Sequence, residues 1–461
     1  MNRENRASPP ATTPPRAFLR LLHTAVDVKS QEVRALGLGF TYYFLIFSSY
    51  YVIRPIRDDI GAANGLEKLP WLFTGTLVAM LIANALFAAL VGRFSRRRFI
   101  PIAYRFLIGN LLIFFVLLMA ISKEHQVWVG RAFFVWTSVF NLFVVSVFWA
   151  FMVDVFSTEQ GKRLFGFISV GGTLGAIVGA AITATLVQRI GSLNLLLISA
   201  VLLELGAQCV RLFPTTFEGS ESSVPKETPQ ELPIGGRLWT GIVHNIKSPY
   251  LLGICAYMFL YATTSTLLYF QQVDIAAHAF TDRSARTAFF AEIDLVVNVL
   301  TILGQAFLAG RLLKWLGVGV TLAILPALSV VGFAAMGIAP TLTLLVIFLT
   351  LRRAANFAFA RPAREILFTV ISREDKYKAK NLIDTFVYRT ADQITAWSSP
   401  VMGWLGLGLS GVSLVAAPVA AIWLFISLWL GRRELRMTTE QQPLTQSTSV
   451  ELGRTSVASV E

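Results

Sequence analysis

Apolar stretches of about 20 residues recur along the whole chain, and this recurrence restricts the fold more than any other feature of the sequence. A helix needs about 20 apolar residues to cross roughly 30 Å of hydrocarbon. The stretches lie at 35–53, 69–91, 100–121, 127–153, 165–187 and 193–212, and then at 251–273, 288–308, 318–338, 341–360, 382–405 and 409–430. The sequence therefore predicts an all-α polytopic membrane protein with about twelve transmembrane helices.

Composition supports this class of protein and excludes others. Hydrophobic residues make up 55% of the chain and charged residues 15%, with a mean hydropathy of +0.62. A soluble domain carries about 25% charged residues. Only 2 Cys and 4 His are present, and Cys209 and Cys255 lie in apolar runs, so we expect packing cysteines and neither a cofactor nor a metal site.

The formal net charge of +13 is best explained by topology, since Lys and Arg near membrane ends are retained in the cytoplasm. The polar, Pro-rich start is predicted to be cytoplasmic, and we expect no nucleic-acid partner. The predicted inner loops then hold most of the basic residues: Arg93, Arg96, Arg97, Arg98, Lys162, Arg163, Arg311, Lys314, Arg361, Arg364, Arg373, Lys376, Lys378 and Lys380. Both termini are therefore predicted to be cytoplasmic.

The predicted spans fall into two similar halves. The sequence divides into a cytoplasmic N-terminal segment, a six-helix bundle, a cytoplasmic linker rich in Glu, Ser and Pro, a second six-helix bundle and a disordered cytoplasmic tail, at 1–34, 35–213, 214–247, 248–431 and 432–461. Gly92-Arg93 after the second span recurs as Gly310-Arg311 after the eighth. Two pseudo-symmetric bundles in parallel orientation resemble the major facilitator architecture.

Nucleotide-hydrolysis chemistry is not indicated. The sequence has no G-x-x-x-x-G-K-[ST] stretch, and the nearest glycine cluster lies inside an apolar span without a following Lys. Gly171, Gly175 and Gly179 share one helix face at i, i+4 and i+8, which favours close helix contact over ligand binding. We therefore expect a secondary transporter and not an enzyme.

Basic residues within the spans are the candidate substrate ligands, because an ionisable group inside the bilayer persists mainly beside a partner or a wet cavity. Arg352 and Arg353 are predicted near the midplane, and Arg389 reaches a similar depth. At most one of the adjacent pair can point into a central cavity, because neighbours on a helix diverge by about 100°. Guanidinium groups suit phosphate or carboxylate oxygens. Asn141 is a candidate for reading a base or sugar, or for an interhelical hydrogen bond.

Acidic residues within the spans are candidates for coupling or for charge balance. Glu292 and Asp294 could carry a proton or neutralise Arg352 or Arg353. Asp384 and Asp392 lie in the eleventh span, and Asp392 shares a helix face with Arg389 at i, i+3. Two further charges, Arg105 and Glu204, fall at similar depths in the third and sixth spans, which predicts a structural pair.

Four short segments resemble the non-mitochondrial ATP/ADP translocases, the nucleotide transporters of plastids and intracellular bacteria. Tyr51-Val-Ile-Arg54-Pro55-Ile-Arg57-Asp58 is similar to the family signature Leu-Arg-x-x-Lys-Asp, and the segments 144–149, 247–252 and 378–384 agree as well. The resemblance implies a nucleotide substrate, with Arg54 and Arg57 at the outer mouth and Lys380 at the inner mouth. Two family glutamates are replaced, by Thr137 and Tyr269.

These observations predict a monomeric transporter of a nucleotide or related phosphorylated anion, driven by exchange or proton coupling through alternating access. By the resemblance it is a bacterial-type member that resides in the bacterial inner (plasma) membrane. Two alternatives remain open at this point. One is a proton-driven exporter of amphipathic compounds, and the other is a non-transporting ligand sensor.

Overall fold

In the computed structural model, helices form almost all of the described chain, and the described residues include no strand. The structure describes residues 28–29, 31–91, 96–213, 248–371, 379–380 and 382–457, with side chains left out at 86–91, 96–98, 123, 158, 162, 384–385 and 441–457. The predicted linker 214–247, most of the N-terminal segment and several basic loop residues lie outside these ranges.

The first half contains six helical segments. They are α1 (Val33–Ala63), α2 (Leu69–Val91), α3 (Arg96–Ala120), α4 (Lys123–Val155), and a continuous run, Thr158–Leu212, that a kink divides into α5 (158–190) and α6 (192–212). The kink falls at Gly191, where φ is 78°. This left-handed conformation is open to glycine without the steric cost that a Cβ would add.

The second half begins with α7 (Pro249–Ala279). Helix α8 comprises Arg283–Gly304, a π-helical turn at Gln305–Ala309 and the residues 310–316. Gly317, with φ of 73°, separates the end of α8 (310–316) from α9 (318–338) within the helix Gly310–Ile338. The remaining segments are α10 (Leu342–Ala355, π turn Asn356–Ala360, Arg361–Leu367), α11 (π turn Leu382–Val387, then Tyr388–Trp404) and α12 (Leu409–Val457).

These segments agree with the predicted membrane spans. Nine stretches of the described chain are long and apolar enough to cross a membrane, and two of them, of 50 and 56 residues, contain the kinks at Gly191 and Gly317. Each kinked stretch supplies two segments, and α11 is the remaining one. The predicted all-α polytopic membrane fold is therefore confirmed.

The glycines of α5 pack against α1. A methyl group added at Gly171, Gly175 or Gly179 would overlap the carbonyl oxygen of Phe40, Phe44 or Ser48, respectively. The two backbones therefore approach closely enough that only glycine fits, as is common between membrane helices. The interpretation of this cluster as a packing face, and not as a ligand site, is confirmed.

The C-terminal segment differs from the sequence-based expectation. A disordered tail was expected from residue 432, but α12 continues to Val457. Gly431, which follows the last apolar turn, does not adopt a positive φ and so does not end the helix, and the Arg and Glu residues at 432–436 favour helix. A hydrogen bond from the Thr438 hydroxyl to the Glu434 carbonyl, 3.0 Å long, lies in this extension.

Candidate substrate site between the two halves

Two arginines from opposite halves converge on one carboxylate oxygen. Asp294 Oδ1 lies 2.6 Å from Arg353 Nη2 and 3.3 Å from Arg54 Nη1. Asp294 and Arg353 lie about 17 Å from the start of α8 and of α10, and Arg54 lies about 14 Å from the end of α1, at 1.5 Å per residue. Oδ2 of Asp294 is buried and has no hydrogen-bond partner among the described residues. A partly satisfied ionic group therefore joins the halves near the membrane midplane.

A second ionic group lies on α1 one turn closer to the helix end. Arg57 Nη1 lies 3.2 Å from Asp58 Oδ1, and the guanidinium is 4.2 Å from the centre of the Phe134 ring. The Tyr269 hydroxyl of α7 donates to Asp58 over 3.2 Å. Together with Arg54, Asp294 and Arg353, these residues form what we call the central cluster. Its three arginines exceed its two carboxylates by one charge.

The end of the bundle at which α1 ends is closed by further contacts between the halves; we call it the distal end and the other the proximal end. Asp59 Oδ1 lies 2.6 Å from Arg286 Nε, and Asp59 Oδ2 lies 2.9 Å from Arg283 Nε. We call these three residues the distal clamp. A further contact between the halves is the hydrogen bond of 3.0 Å that Thr74 of α2 donates to Gln393 of α11. The central cluster therefore lies beneath a closed distal end.

Arg352 points away from the central cluster and into the second half. Its guanidinium donates to the hydroxyls of Ser329 (3.0 Å), Ser265 (3.1 Å) and Thr264 (2.8 Å). Each of these hydroxyls donates in turn to a carbonyl four residues earlier in its own helix. In the described part of the chain, Arg352 thus has hydroxyl partners and no carboxylate. Of the adjacent arginines, Arg353 is the one that faces the other half.

The other basic candidates lie towards the proximal end. Arg389 Nη1 lies 3.5 Å from Asp392 Oδ2, which is the contact expected from their i, i+3 spacing. Asp392 Oδ1 also accepts a hydrogen bond of 2.8 Å from Thr266. Lys380 Nζ lies 2.7 Å from Glu365 at the end of α10. The structure does not bring these residues into the central cluster.

Three more predicted residues need separate description. Asn141 is half-buried on α4 and makes no side-chain hydrogen bond with another described residue. Glu292 is exposed on the surface of the bundle, because it lies about 200° around α8 from Asp294. The backbone of Asp384 lies in the π turn of α11, and its side chain lies outside the described residues.

Sequence reasoning missed the distal clamp. Asp59 follows Asp58 beyond the predicted first span, which ends at residue 53, and Arg283 and Arg286 lie at i, i+3 at the start of α8. All three residues lie outside the predicted spans 35–53 and 288–308, so the criterion of charge within a span could not indicate them. Sequence reasoning missed the role of Tyr269 as well, a residue noted only for replacing a family glutamate. No group of three potential metal ligands occurs among the described residues.

A helical bundle in two halves, with charged side chains meeting between them, defines the class of secondary transporters with a central site. The sequence model of the Major Facilitator Superfamily matches residues 36–367, and the chain belongs to this family. It is therefore a transporter of that fold. A search of curated proteins finds no match.

Solved transporter structures share the fold at low sequence identity. A bacterial homologue of the human lysosomal transporter Spinster, inward-facing and unoccupied, has a TM-score of 0.56 and 15% identity, covering 90% of this chain and 98% of its own. The nucleoside transporter NupG, in a mutant form, has a TM-score of 0.55 and 14% identity, with coverages of 87% and 99%. A D-xylose-proton symporter has a TM-score of 0.58 and 12% identity, with coverages of 88% and 97%.

Proposed function

We propose that this transporter carries a nucleotide or a related phosphorylated anion, by exchange or proton coupling through alternating access. The observation that carries the proposal is the convergence of Arg54 and Arg353 on Asp294 Oδ1. Planar guanidinium groups pair with phosphate oxygens in forked geometry. A phosphate therefore has two preformed donors, one from each half.

Competition between Asp294 and the substrate gives the proposal a mechanism. A phosphate group carries up to about two negative charges near neutral pH, against one on a carboxylate. A bound phosphate can therefore displace Asp294 from Arg54 and Arg353. The released carboxylate can then accept a proton, which gives proton coupling, or re-form its contacts until a second anion arrives, which gives exchange.

The surroundings of the central cluster suit the rest of a nucleotide. Tyr51 lies beside Arg54, whose guanidinium is 5.3 Å from the ring centre, and Tyr50 packs at 5.4 Å from the Tyr51 ring. Aromatic side chains stack on nucleobases with an energy of roughly 1–3 kcal/mol per base. The amide of Asn141 remains the proposed polar contact to a base or sugar.

Residues outside the central cluster are assigned a role in attracting and admitting substrate. Lys380 at the proximal end would attract anions once it releases Glu365, and Arg389 would do so once it releases Asp392. Both termini are proposed to lie in the cytoplasm of a bacterial cell, which would make the distal end external. Opening of the distal clamp would then admit external substrate.

The test is counterflow of labelled nucleotides and of other phosphorylated anions in proteoliposomes. Proteoliposomes that contain wild type and are preloaded with unlabelled substrate are expected to accumulate label. In Arg353→Gln the rate of label uptake should fall at least about 100-fold, because a charged contact of about 3 kcal/mol is lost. Arg105→Gln is the matched control. Arg105 forms an ion pair of 2.9 Å with Glu204, and neither residue belongs to the central cluster. The proposal is contradicted if wild type transports no phosphorylated anion, either in exchange for a preloaded anion or when a pH gradient is applied.

A further inference from the structure

Glu292 lies on the face of α8 that is turned towards lipid. The same face carries Val296 and Leu303, which are 46% and 47% exposed and follow Glu292 at helical spacing. Asp294, on the opposite face, is 1% exposed and joins the central cluster. The carboxylate of Glu292 has no ion-pair or hydrogen-bond partner among the described side chains. A charged group facing hydrocarbon costs at least about 2.5 kcal/mol, so a partner is expected.

An apolar groove begins beside this carboxylate. It lies between α8 and α10, has a volume of about 510 Å³, and is lined by Glu292 together with Phe289, Ile293, Val296, Val346, Ile347, Thr350 and Leu351. Ile347 and Leu351 are 51% and 45% exposed, so the groove opens on the lipid side. A volume of this size lies within the range for a drug-sized ligand.

The order of polar and apolar groups along the groove matches the orientation of an amphiphile in a leaflet. Helix α8 starts at the distal end, and helical side chains tilt towards the start of their helix, so the Glu292 carboxylate is directed towards the distal surface. Val296 lies one turn deeper on α8. A molecule with a charged head and an apolar tail would therefore have its head near Glu292 and its tail towards the midplane.

We propose that this groove binds a lipophilic amine from the distal leaflet, with Glu292 as its counter-ion. An ammonium group supplies the positively charged partner that Glu292 lacks. In a medium of low dielectric constant this ion pair is stronger than in water. An anionic lipid is repelled by the same carboxylate, and a neutral chain leaves it unpaired. The site is separate from the central cluster and takes a ligand of opposite charge.

The test is photolabelling of the full-length protein in lipid nanodiscs. The probe is dodecylamine carrying a diazirine in the middle of its chain, and the control probe is the matching dodecanol. Labelled positions are mapped by mass spectrometry. The reference surface is 411–418 on α12, where Leu414 and Val415 are 56% and 42% exposed. Leu414 and Ile347 each lie five residues after the distal start of their helix, at matched depth.

The amine is expected to label 289–296 and 346–351 at least about tenfold more than the reference surface, saturably and in competition with unlabelled dodecylamine. Glu292→Gln should remove this enrichment, Glu292→Asp should keep most of it, and Ile347→Trp, which fills the groove, should remove it without changing the charge.

Three results would overturn the proposal. Equal labelling of the groove by amine and alcohol would mean that Glu292 is not a counter-ion. Unchanged labelling in Glu292→Gln would mean the same. Exclusion of both probes from the groove would identify a protein surface, such as a second copy of the chain, as its occupant.

Discussion

Arg286 Nε lies 2.6 Å from Asp59 Oδ1, and this contact joins two residues 227 positions apart in the sequence. It links the end of α1 to the start of α8, and hence the first half to the second. Asp59 is completely buried. Because Arg283 binds the other oxygen of the same carboxylate, both donors of the second half depend on a single residue of the first.

Asp59→Asn is therefore expected to open the distal end. Removing one partner of a buried ion pair costs about 3–5 kcal/mol, and here the cost falls only on the closed arrangement of the halves. The fraction of molecules open at the distal end should rise at least tenfold, as measured by spin-label distances between the distal ends of α2 and α11. Arg131→Gln is the control, since Arg131 binds Asn64 at 2.7 Å within the first half. An equal opening in both variants would show a general loss of packing.

Variants of the adjacent arginines of α10, Arg352 and Arg353, should differ in how much substrate raises their Tm. A ligand at 100 times its Kd stabilises a protein by about 2.7 kcal/mol. Arg353→Gln is expected to lose the rise in Tm produced by nucleotide, because it removes a donor of the central cluster. Arg352→Gln should lower Tm without ligand, since it removes hydrogen bonds to Thr264, Ser265 and Ser329, but should keep the rise. Reversed results would move the site into the second half.

Asp294 and Arg353 should show strong thermodynamic coupling. Asp294→Asn leaves two guanidinium groups around a neutral amide and should lower the free energy of unfolding by about 3 kcal/mol. The double variant Asp294→Asn, Arg353→Gln should recover part of this stability while its transport stays absent. Denaturation in detergent measures the first property and counterflow the second. A double-variant cycle on Arg105 and Glu204, whose side chains are 44% and 35% exposed, should give a smaller coupling energy.

Gly175→Ala is expected to destabilise the first half. The added methyl group overlaps the Phe44 carbonyl of α1, and backbone cannot move aside as a flexible side chain can. Overpacking of this kind costs about 1–3 kcal/mol. Gly166→Ala on the same helix is the control, since its added methyl group meets no atom within 4 Å. The control should match or exceed wild type in thermal stability, because alanine has the higher helix propensity.

The sequence predicted local relations well and helix rotation poorly. The i, i+3 contact of Arg389 with Asp392 follows from helix geometry alone, and it is found at 3.5 Å. The pairing of Arg105 with Glu204 was predicted from their common depth and is found at 2.9 Å. Depth can be counted along a span, since each residue adds a fixed rise.

Rotation about the helix axis cannot be counted in this way. Arg352 and Arg353 were equivalent as candidates, and the packing of α10 against α7 and α9 determined which of them faces the first half. Glu292 and Asp294 had the same ambiguity on α8. The distal clamp depends on the docking of one half on the other, for which neither half's own sequence pattern carries a signal. The sequence therefore indicated candidate residues and the partners that helix geometry and depth determine, but not the contacts between the two halves.

The hydroxyl groups around Arg352 have an electrical consequence. These hydroxyls donate their own hydrogen bonds to helix carbonyls, so their oxygens are oriented to accept from the guanidinium. The charge of Arg352 is thereby stabilised by hydroxyl and backbone dipoles and needs no titratable partner among the described residues. Arg352 is therefore a fixed positive charge of the second half inside the membrane, and it is left unbalanced there when a cationic ligand neutralises Glu292. Any displacement of that half moves this charge through the transmembrane field, at up to about 2.3 kcal/mol per 100 mV for a full crossing. The membrane voltage would then bias the resting position of the carrier even when no substrate is bound.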